Sequence, residues 1–230
     1  MSAKKELTLG YCPIGNGDSI APFDEVFTNK QDISKQGMAG VDAVVFWGGT
    51  DIHPSYYRQK PHMYNQAGNV PSHRDVFEWK AMHYCKLNKI PMIGVCRGAQ
   101  MLCAFAGGKL IQHVTGHQGT HNITVLDGGE VFQTSSAHHQ MMYPFAIDHE
   151  MIAVSSAKLS RTYEEQNQAS LPQMKHFQEP EIVYFPQVRG LAIQGHPEWS
   201  VGSRFAEFCN EMVIDKLLTN KLVAVDVDAF

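Results

Sequence analysis

Three short stretches of the sequence carry residue types that could together perform nucleophilic catalysis. In the first, Gly94-Val95-Cys96-Arg97-Gly98, a cysteine stands between two glycines at the end of an apolar run. This G-x-C-x-G pattern is typical of a nucleophile elbow, a strained strand-to-helix turn that places the nucleophile at a helix N-terminus, where a thiolate is favoured. The backbone N–H of Arg97 would then face a developing oxyanion. Free cysteines are also common as small core residues, so this stretch alone leaves catalysis and packing equally open.

The second stretch, Gly195-His196-Pro197-Glu198, could supply a base and a residue that orients it. Proline restricts the residue before it to extended conformations, so the backbone can present His196 to the thiol while Glu198 holds the imidazole from behind. This division of roles recurs on unrelated folds. A His-Pro-Glu tripeptide alone indicates little, but together with an elbow cysteine about 100 residues upstream it favours the catalytic interpretation.

The third stretch, Trp47-Gly48-Gly49-Thr50-Asp51, also follows an apolar run. A glycine pair at this point lets a backbone N–H approach a reacting carbonyl and complete an oxyanion hole. Such a donor typically contributes about 100- to 1000-fold in rate. On its own, however, the pair is more typical of an ordinary glycine turn.

Strands and helices alternate around these three stretches. The apolar runs predict strands at Leu7 to Cys12, Val44 to Trp47, Pro91 to Val95 and from Gly190 onwards. Helices are predicted at about Arg74 to Asn88, behind the capping pattern Ser72-x-x-Asp75, at Arg97 to Phe105, and in the closing segment 200–218. The first of these helices would bury Phe77, Ala81, Tyr84 and Cys85. This order predicts a three-layer α/β fold, in which helices cover both faces of a mostly parallel central sheet.

The composition suits a single compact domain over residues 1–230, since 43% of the residues are apolar and no linker divides the chain. The net charge of −4, with no basic cluster larger than Lys4-Lys5, argues against a nucleic-acid partner. We expect neither a leader peptide nor a membrane-spanning segment. Five cysteines without C-x-x-C spacing fit a reduced, cytoplasmic compartment better than a disulfide framework.

Taken together, GVCRGAQ, GHPE and the glycine pair resemble the class I glutamine amidotransferase superfamily with its Cys-His-Glu triad. The narrower likeness is to γ-glutamyl-γ-aminobutyrate hydrolase-like enzymes of the peptidase C26 type. Four stretches carry it, in family order along almost the whole chain: GGTDIHPSYY (48–57), HRDVFEWKAM (73–82), CRGAQMLCAFAGGKLIQHV (96–114) and SSAHHQ (135–140). The chain departs from the hydrolase-like pattern at Ser135, where Asn is usual, and at Gly195, where an aromatic residue is usual.

The resemblance implies a flavodoxin-like fold and a role for each matching residue. Cys96 would be the nucleophile, His196 the general base and acid, and Glu198 the residue that orients the imidazole. The oxyanion hole would be built from Gly48, Gly49 and Arg97. Contacts to a substrate would come from Gln100, Ser136, Ala137 and His138.

The activity that the resemblance implies is hydrolysis of γ-glutamyl amide bonds, in glutamine or in γ-glutamyl amines, through a thioester and without a cofactor. An alternative is a glutaminase subunit that passes ammonia to a separate synthetase partner, because a glycine before His-Pro-Glu also occurs in such subunits. A non-catalytic binding module on the same fold is a third interpretation. The sequence leaves open the leaving group, the pathway and whether the chain forms a homo-oligomer.

The 12 histidines raise the question of a metal enzyme. His113 and His117 are four residues apart, but the glycines near them argue against one helix that presents both. The adjacent His138 and His139 would diverge in an extended chain. The sequence has no H-E-x-x-H motif and no cysteine pair at ligand spacing, so we expect no metal site.

Two further groups of residues are open to simpler interpretations. The loop after the glycine pair could shape a substrate site or could be solvated, and its candidates are Asp51, His53, Tyr56 and Tyr57. The other four cysteines lack the elbow context and are predicted to be core residues: Cys12, Cys85, Cys103 and Cys209.

Overall fold

The computed structural model describes residues 6–165 and 177–219. In chain order, the strands are β1 (Thr8–Tyr11), β2 (Asn29–Asp32), β3 (Ala43–Phe46), β4 (Met92–Val95), β5 (Lys109–Ile111), β6 (His113–Val114), β7 (Gln118–Val125), β8 (Val131–Ala137), β9 (Met141–Tyr143), β10 (Glu150–Ser155), β11 (Tyr163–Glu164), β12 (Pro180–Phe185) and β13 (Gly190–Ile193). The α-helices are α1 (Ile33–Gln36), α2 (His73–Leu87), α3 (Arg97–Phe105) and α4 (Arg204–Met212), which a π-helical turn, Val213–Leu218, continues.

Nine of the strands form one sheet in the order β2-β1-β3-β4-β13-β12-β10-β7-β8. The first five strands of that order run parallel, from β2 to β13. The remaining four are antiparallel. The carboxyl ends of β3 and β4 lie at the same sheet edge, so the glycine pair that follows β3 and the cysteine that follows β4 are brought together there.

Each parallel strand alternates its side chains between two hydrophobic clusters, one on each face of the sheet. Val45, Ile93 and Leu191 face the cluster that contains α4, whereas their neighbours Val44, Met92 and Ala192 face the cluster that contains α2 and α3. The predicted three-layer α/β fold is therefore confirmed. The strands β4 and β13 are buried on both faces, which is why they read as unbroken apolar runs.

Helix α2 begins at a capping box in which the Ser72 hydroxyl and the Asp75 carboxylate each accept a hydrogen bond from the other residue's backbone N–H. Its buried face differs from the predicted one. Tyr84 is 43% exposed, while the polar residues Asp75 and Glu78 are buried. The apolar pattern misplaces this face because the helix turns two carboxylates, rather than a tyrosine, toward the interior.

The remaining strands form two small antiparallel sheets, β5 with β9 and β6 with β11. The polar composition of residues 164–178 predicts a surface loop, and most of that stretch lies outside the described residues. None of the described helices combines the length and the apolar character that a membrane span requires. The single-domain organisation stays a prediction for residues 1–230.

Candidate active site

Cys96 lies in the turn between β4 and α3, with φ 51° and ψ −106°. A positive φ is uncommon for a residue other than glycine and marks a strained backbone. The two flanking glycines make the turn possible because the backbone packs closely at both positions. A Cβ on Gly94 would lie 2.4 Å from the carbonyl oxygen of Gly98, and a Cβ on Gly98 would lie 2.0 Å from that of Phe46 in β3. The glycines thus let the first turn of α3 pack directly on two strands.

His196 follows β13, the parallel neighbour of β4, so the shared register brings its imidazole to Cys96. The Cys96 thiol lies beside the imidazole, close enough to influence its protonation. On the other side of the ring, His196 Nδ1 lies 2.7 Å from Glu198 Oε1. Both side chains are buried, with 6% and 7% of their surface exposed. The arrangement is a thiol, an imidazole and a carboxylate in series.

The pKa of His196 is raised to about 9. Burial acts to lower it, but the hydrogen bonds and charges of Cys96 and Glu198 outweigh that effect. An imidazole with this pKa is protonated at neutral pH, which suits it to donate a proton. One face of the ring is covered by the indole of Trp199, a residue that is 59% exposed.

The other four cysteines are buried and free. Burial raises the pKa of Cys85 and of Cys103 to about 12, and raises those of Cys12 and Cys209 as well. Thiols with such pKa values are almost entirely protonated at neutral pH and are poor nucleophiles. Among the five, Cys96 therefore stands apart by its contact with an imidazole.

The glycine pair after β3 packs against both reactive side chains. A Cβ on Gly48 would lie 3.0 Å from His196 Cε1 and 3.5 Å from the Cβ of Cys96. Gly49 has a φ of +144°, which favours glycine, and a Cβ there would lie 2.5 Å from a guanidinium nitrogen of Arg74. Any side chain in this turn would displace either His196 or Arg74.

Arg74 holds the turn from behind. Its guanidinium donates to the carbonyl oxygens of Trp47 and Gly48, at 2.8 and 3.0 Å, and to Glu78 Oε1 at 2.8 Å. With both carbonyls engaged on the Arg74 side, the orientation of the peptides in the glycine turn is fixed. No sequence motif indicates this role of Arg74, because contacts between residues 26 or 27 apart leave no local signal.

The side chain of Arg97 points away from the cysteine and completes a buried charge network. Its guanidinium pairs with the carboxylates of Asp75 and Glu78 in α2. All three side chains are at most 2% exposed. Because Glu78 also binds Arg74, the network connects the two segments whose backbone amides are the predicted oxyanion donors. A buried pair of this kind is strongly destabilising when one partner is removed.

A cavity of about 260 Å³ opens beside Cys96 and is lined mostly by polar residues: Gly49, Asp51, Gln66, Cys96, Gln100, Gln118, Ala137, His138, His139 and Gln140. Gln100, Ala137 and His138 were predicted substrate contacts and line it. Ser136, the fourth, does not. Its hydroxyl donates to the carbonyl oxygen of His117, because successive residues of β8 face opposite sides of the strand.

The loop candidates separate in the structure. Asp51 lines the cavity, where its carboxylate accepts from the Gln66 backbone N–H at 2.8 Å and lies 3.0 Å from His139 Nε2. The other three face elsewhere: His53 caps a short helix, Tyr56 packs on Trp79, and Tyr57 is buried and donates to Gln112. Gln66 and Gln118 reach the cavity from regions that carry no motif, so sequence patterns do not reveal them.

Gly195, one of the two departures from the hydrolase-like pattern, is required by packing. A Cβ at this position would lie 2.1 Å from Thr134 Oγ1 and 3.0 Å from the carbonyl oxygen of Ser135. The same carbonyl accepts a hydrogen bond from the His196 backbone N–H at 3.0 Å. Strand β8 therefore runs directly over residue 195, and this close approach sets the position of His196.

Similar proteins share this fold and parts of the sequence. The chain is 36% identical over 102 residues to a glutamine amidotransferase-like protein, a YvdE homolog of Lactococcus lactis subsp. cremoris, covering 44% of this chain and 50% of that protein. It is 31% identical over 118 residues to a carbamoyl phosphate synthase small chain of Xanthomonas campestris pv. campestris, covering 50% of this chain and 27% of the relative. The chain thus spans half or less of either relative.

A crystal structure of a glutamine amidotransferase from Thermotoga maritima superposes with a TM-score of 0.56 at 13% identity, covering 95% of this chain and 86% of that one. This likeness shows a shared fold. The Peptidase C26 family model matches residues 22–174, which is more than half of the sequence. The chain is glutamine amidotransferase-like, and it belongs to the Peptidase C26 family.

Proposed function

We propose that the protein is a cysteine-dependent hydrolase of γ-glutamyl amide bonds, in glutamine or in γ-glutamyl amines. The observation that carries the proposal is the series Cys96, His196 and Glu198, with its 2.7 Å contact between imidazole and carboxylate beside a strained elbow. Membership of the Peptidase C26 family supports the same chemistry.

In the proposed reaction the Cys96 thiolate attacks the side-chain amide carbon of the glutamyl group, and the oxyanion accepts from the backbone N–H groups of Arg97 and Gly49. His196, protonated at neutral pH by its raised pKa, gives its proton to the departing nitrogen as the C–N bond breaks. Ammonia or an amine leaves and a γ-glutamyl thioester remains. His196 then takes a proton from water, the hydroxide adds to the thioester, and breaking of the C–S bond releases glutamate and restores the thiolate.

The cavity supports a small polar substrate. Its volume of about 260 Å³ is below the range typical of pockets for drug-sized ligands, and a glutamyl group fits that scale. Gln100, one turn into α3, donates its amide to the Gln140 carbonyl oxygen at 2.9 Å and is thereby fixed in the wall. We assign Asp51 to the substrate's α-ammonium group, because its side chain is the one carboxylate among the described cavity residues.

A glutaminase subunit that supplies ammonia to a synthetase is the second candidate. It is favoured by the likeness to a carbamoyl phosphate synthase small chain and by Gly195, the form of the His-Pro-Glu segment that also occurs in amidotransferase subunits. Both candidates share every step up to the thioester. They differ in where the ammonia goes and in whether a partner is needed for turnover.

The test is a screen of γ-glutamyl amides, glutamine included, against the isolated protein, with release of glutamate as the readout. We expect steady-state turnover, and a loss of about 10⁴-fold or more in Cys96→Ala. The matched control is Cys12→Ala, another buried thiol, which should retain activity. Negligible turnover that a synthetase restores would favour the second candidate, and full activity in Cys96→Ala would refute the thiol as nucleophile.

A further inference from the structure

A buried cluster of histidine and glutamate side chains lies behind the cavity and takes no part in the proposed reaction. One ligand atom from each of His117, His121 and Glu181 lies within 4.8 Å of the other two. His121 Nε2 is 2.7 Å from Glu181 Oε1, and His117 Nδ1 is 3.8 Å from the same oxygen. Two imidazoles and a carboxylate are the ligand types that Zn²⁺ and related first-row metal ions prefer.

The fold bends to bring the two histidines together. An extended strand would separate residues four apart by about 13 Å. Here the ring centroids of His117 and His121 are 5.3 Å apart, with the planes nearly perpendicular. Gly119 lies between them within β7, at a φ of +100° that departs from the usual strand value and favours glycine.

Glu181 reaches the histidines because of a β-bulge. Strand β10 pairs Ala153 with Ile182 and Val154 with Pro180, so Glu181 is an extra residue with no counterpart on β10. Its backbone carbonyl accepts from the Gln194 N–H instead, at 2.8 Å. Bulges re-aim side chains, and this one turns a carboxylate into the protein toward β7.

The cluster also leaves buried polar atoms without partners. Within the part of the chain that the structure describes, His117 Nδ1, His117 Nε2 and Glu181 Oε2 have no hydrogen-bond partner. The His117 side chain is fully buried, and that of Glu181 is 1% exposed. Unsatisfied buried polar atoms destabilise a folded protein, so three in one cluster need an explanation. A cation bound by His117 Nδ1 and the Glu181 carboxylate would satisfy two of the three.

Glu179 orients the first histidine. Its carboxylate lies 3.3 Å from His117 Nε2 and is held by the backbone N–H groups of Leu159 and Ser160 and by the hydroxyl of Tyr163. With Nε2 on the Glu179 side, Nδ1 is the ring nitrogen that faces Glu181. Metal-binding histidines characteristically place their other ring nitrogen against a carboxylate, and Glu179 occupies that place here.

We propose that His117 Nδ1, His121 Nε2 and the Glu181 carboxylate form a binding site for one divalent transition-metal ion of the Zn²⁺ type. His121 is only partly buried and gives the ion a path from solvent. No metal site was expected, because the sequence carries no motif with ligand spacing. Glu181 lies 60 residues from His121 and reaches it through a bulge, so no local pattern marks this cluster. The site adjoins the cavity wall at Gln118, so a bound ion would hold that corner in place.

The test is equilibrium dialysis of the untagged full chain, stripped with a chelator, against Zn²⁺ or Co²⁺, with bound metal counted by elemental mass spectrometry. We expect one equivalent per chain, and visible d–d absorption for Co²⁺. His121→Gln and Glu181→Gln should each weaken binding at least about 100-fold, and Glu179→Gln by about 10- to 100-fold. His73→Gln, which alters an exposed histidine, should bind as the parent does.

Cys96 and His196 are themselves potential metal ligands, so the titration is repeated in a Cys96→Ser background. Binding that survives Cys96→Ser and is lost in His121→Gln supports the proposed site. Binding that His121→Gln retains, or no stoichiometric binding at all, overturns it. If Glu181→Gln fails to fold, the partly exposed His121→Gln decides the question, with circular dichroism as its check on folding.

Discussion

The indole of Trp199 lies parallel to the imidazole of His196, with ring centroids 3.7 Å apart and planes 2° from parallel. The outer face of the indole meets solvent, since 59% of the residue is exposed. The raised pKa of about 9 makes His196 a cation at neutral pH, and a cation over an indole is stabilised by the ring's negative face. Trp199 therefore both shields the imidazole from water and favours its charged form.

Trp199→Ala should lower kcat/KM about 5- to 30-fold, which corresponds to the roughly 1–2 kcal/mol of a partly desolvated cation–π contact. Trp199→Phe keeps an aromatic face and should lose less. Steady-state kinetics on both variants, with circular dichroism to confirm folding, make the measurement. Equal activity in the parent and in Trp199→Ala would contradict a role for the stack.

The pH dependence of kcat/KM should report the protonation of His196. The charged imidazole is the proton donor, so activity should fall as pH rises through about 9. Glu198→Gln removes a charge that raises this pKa, and the falling limb should then move to lower pH. A limb that stays in place in Glu198→Gln would show that another group titrates there. Trp199 stacks on His196, so its fluorescence, followed against pH without substrate, gives an independent measurement of the His196 pKa.

Arg74→Lys should lower kcat about 10- to 100-fold with little change in KM. Lysine cannot span the Trp47 and Gly48 carbonyl oxygens and Glu78 as the planar guanidinium does. The glycine turn would lose its fixed orientation, and an oxyanion donor matters mainly in the transition state. His73→Gln, at the exposed neighbouring position, is the control. A rise in KM with kcat unchanged would instead place Arg74 in substrate binding.

Gly195→Ala should destabilise the fold by about 1–3 kcal/mol, the usual cost of overpacking, because the new methyl group meets Thr134 Oγ1 at 2.1 Å. Thr134→Ala removes that atom, so the double variant should recover part of the loss. Urea unfolding of the parent, the two single variants and the double variant gives the interaction energy between the two positions. Strictly additive effects would show that the two positions do not compete for space.

The local parts of the site were predictable from the sequence, and the long-range parts were not. The elbow, α3 and the strands that lead to Gly48 and His196 follow from apolar runs and glycine positions, which act over a few residues. The buried pairing of Arg97 with Glu78, and the arrival of Gln66 at the cavity, depend on contacts between distant segments. A helix face that buries charge also violates the apolar pattern, which is why Tyr84 was misplaced.

The antiparallel half of the sheet shows the same limit. The bulge at Glu181 shifts the register between β10 and β12, and nothing in the local composition marks it. Ser136 was assigned to the cavity with its neighbours, but the two-residue period of β8 turns it the other way. In both cases the missing information is pairing between strands far apart in the chain.

Asp75 performs two tasks with one carboxylate: one oxygen accepts from the Ser72 N–H at the start of α2, and the other pairs with Arg97. Winding of the first turn of α2 and seating of α3 against it are thus a single cooperative event. If the first turn of α2 unwinds, the buried Arg97 guanidinium loses its ion pair with Asp75. Local unfolding at Ser72 is therefore expected to loosen the turn that carries Cys96. The stability of the first turn of α2 would then determine how long the active-site geometry persists.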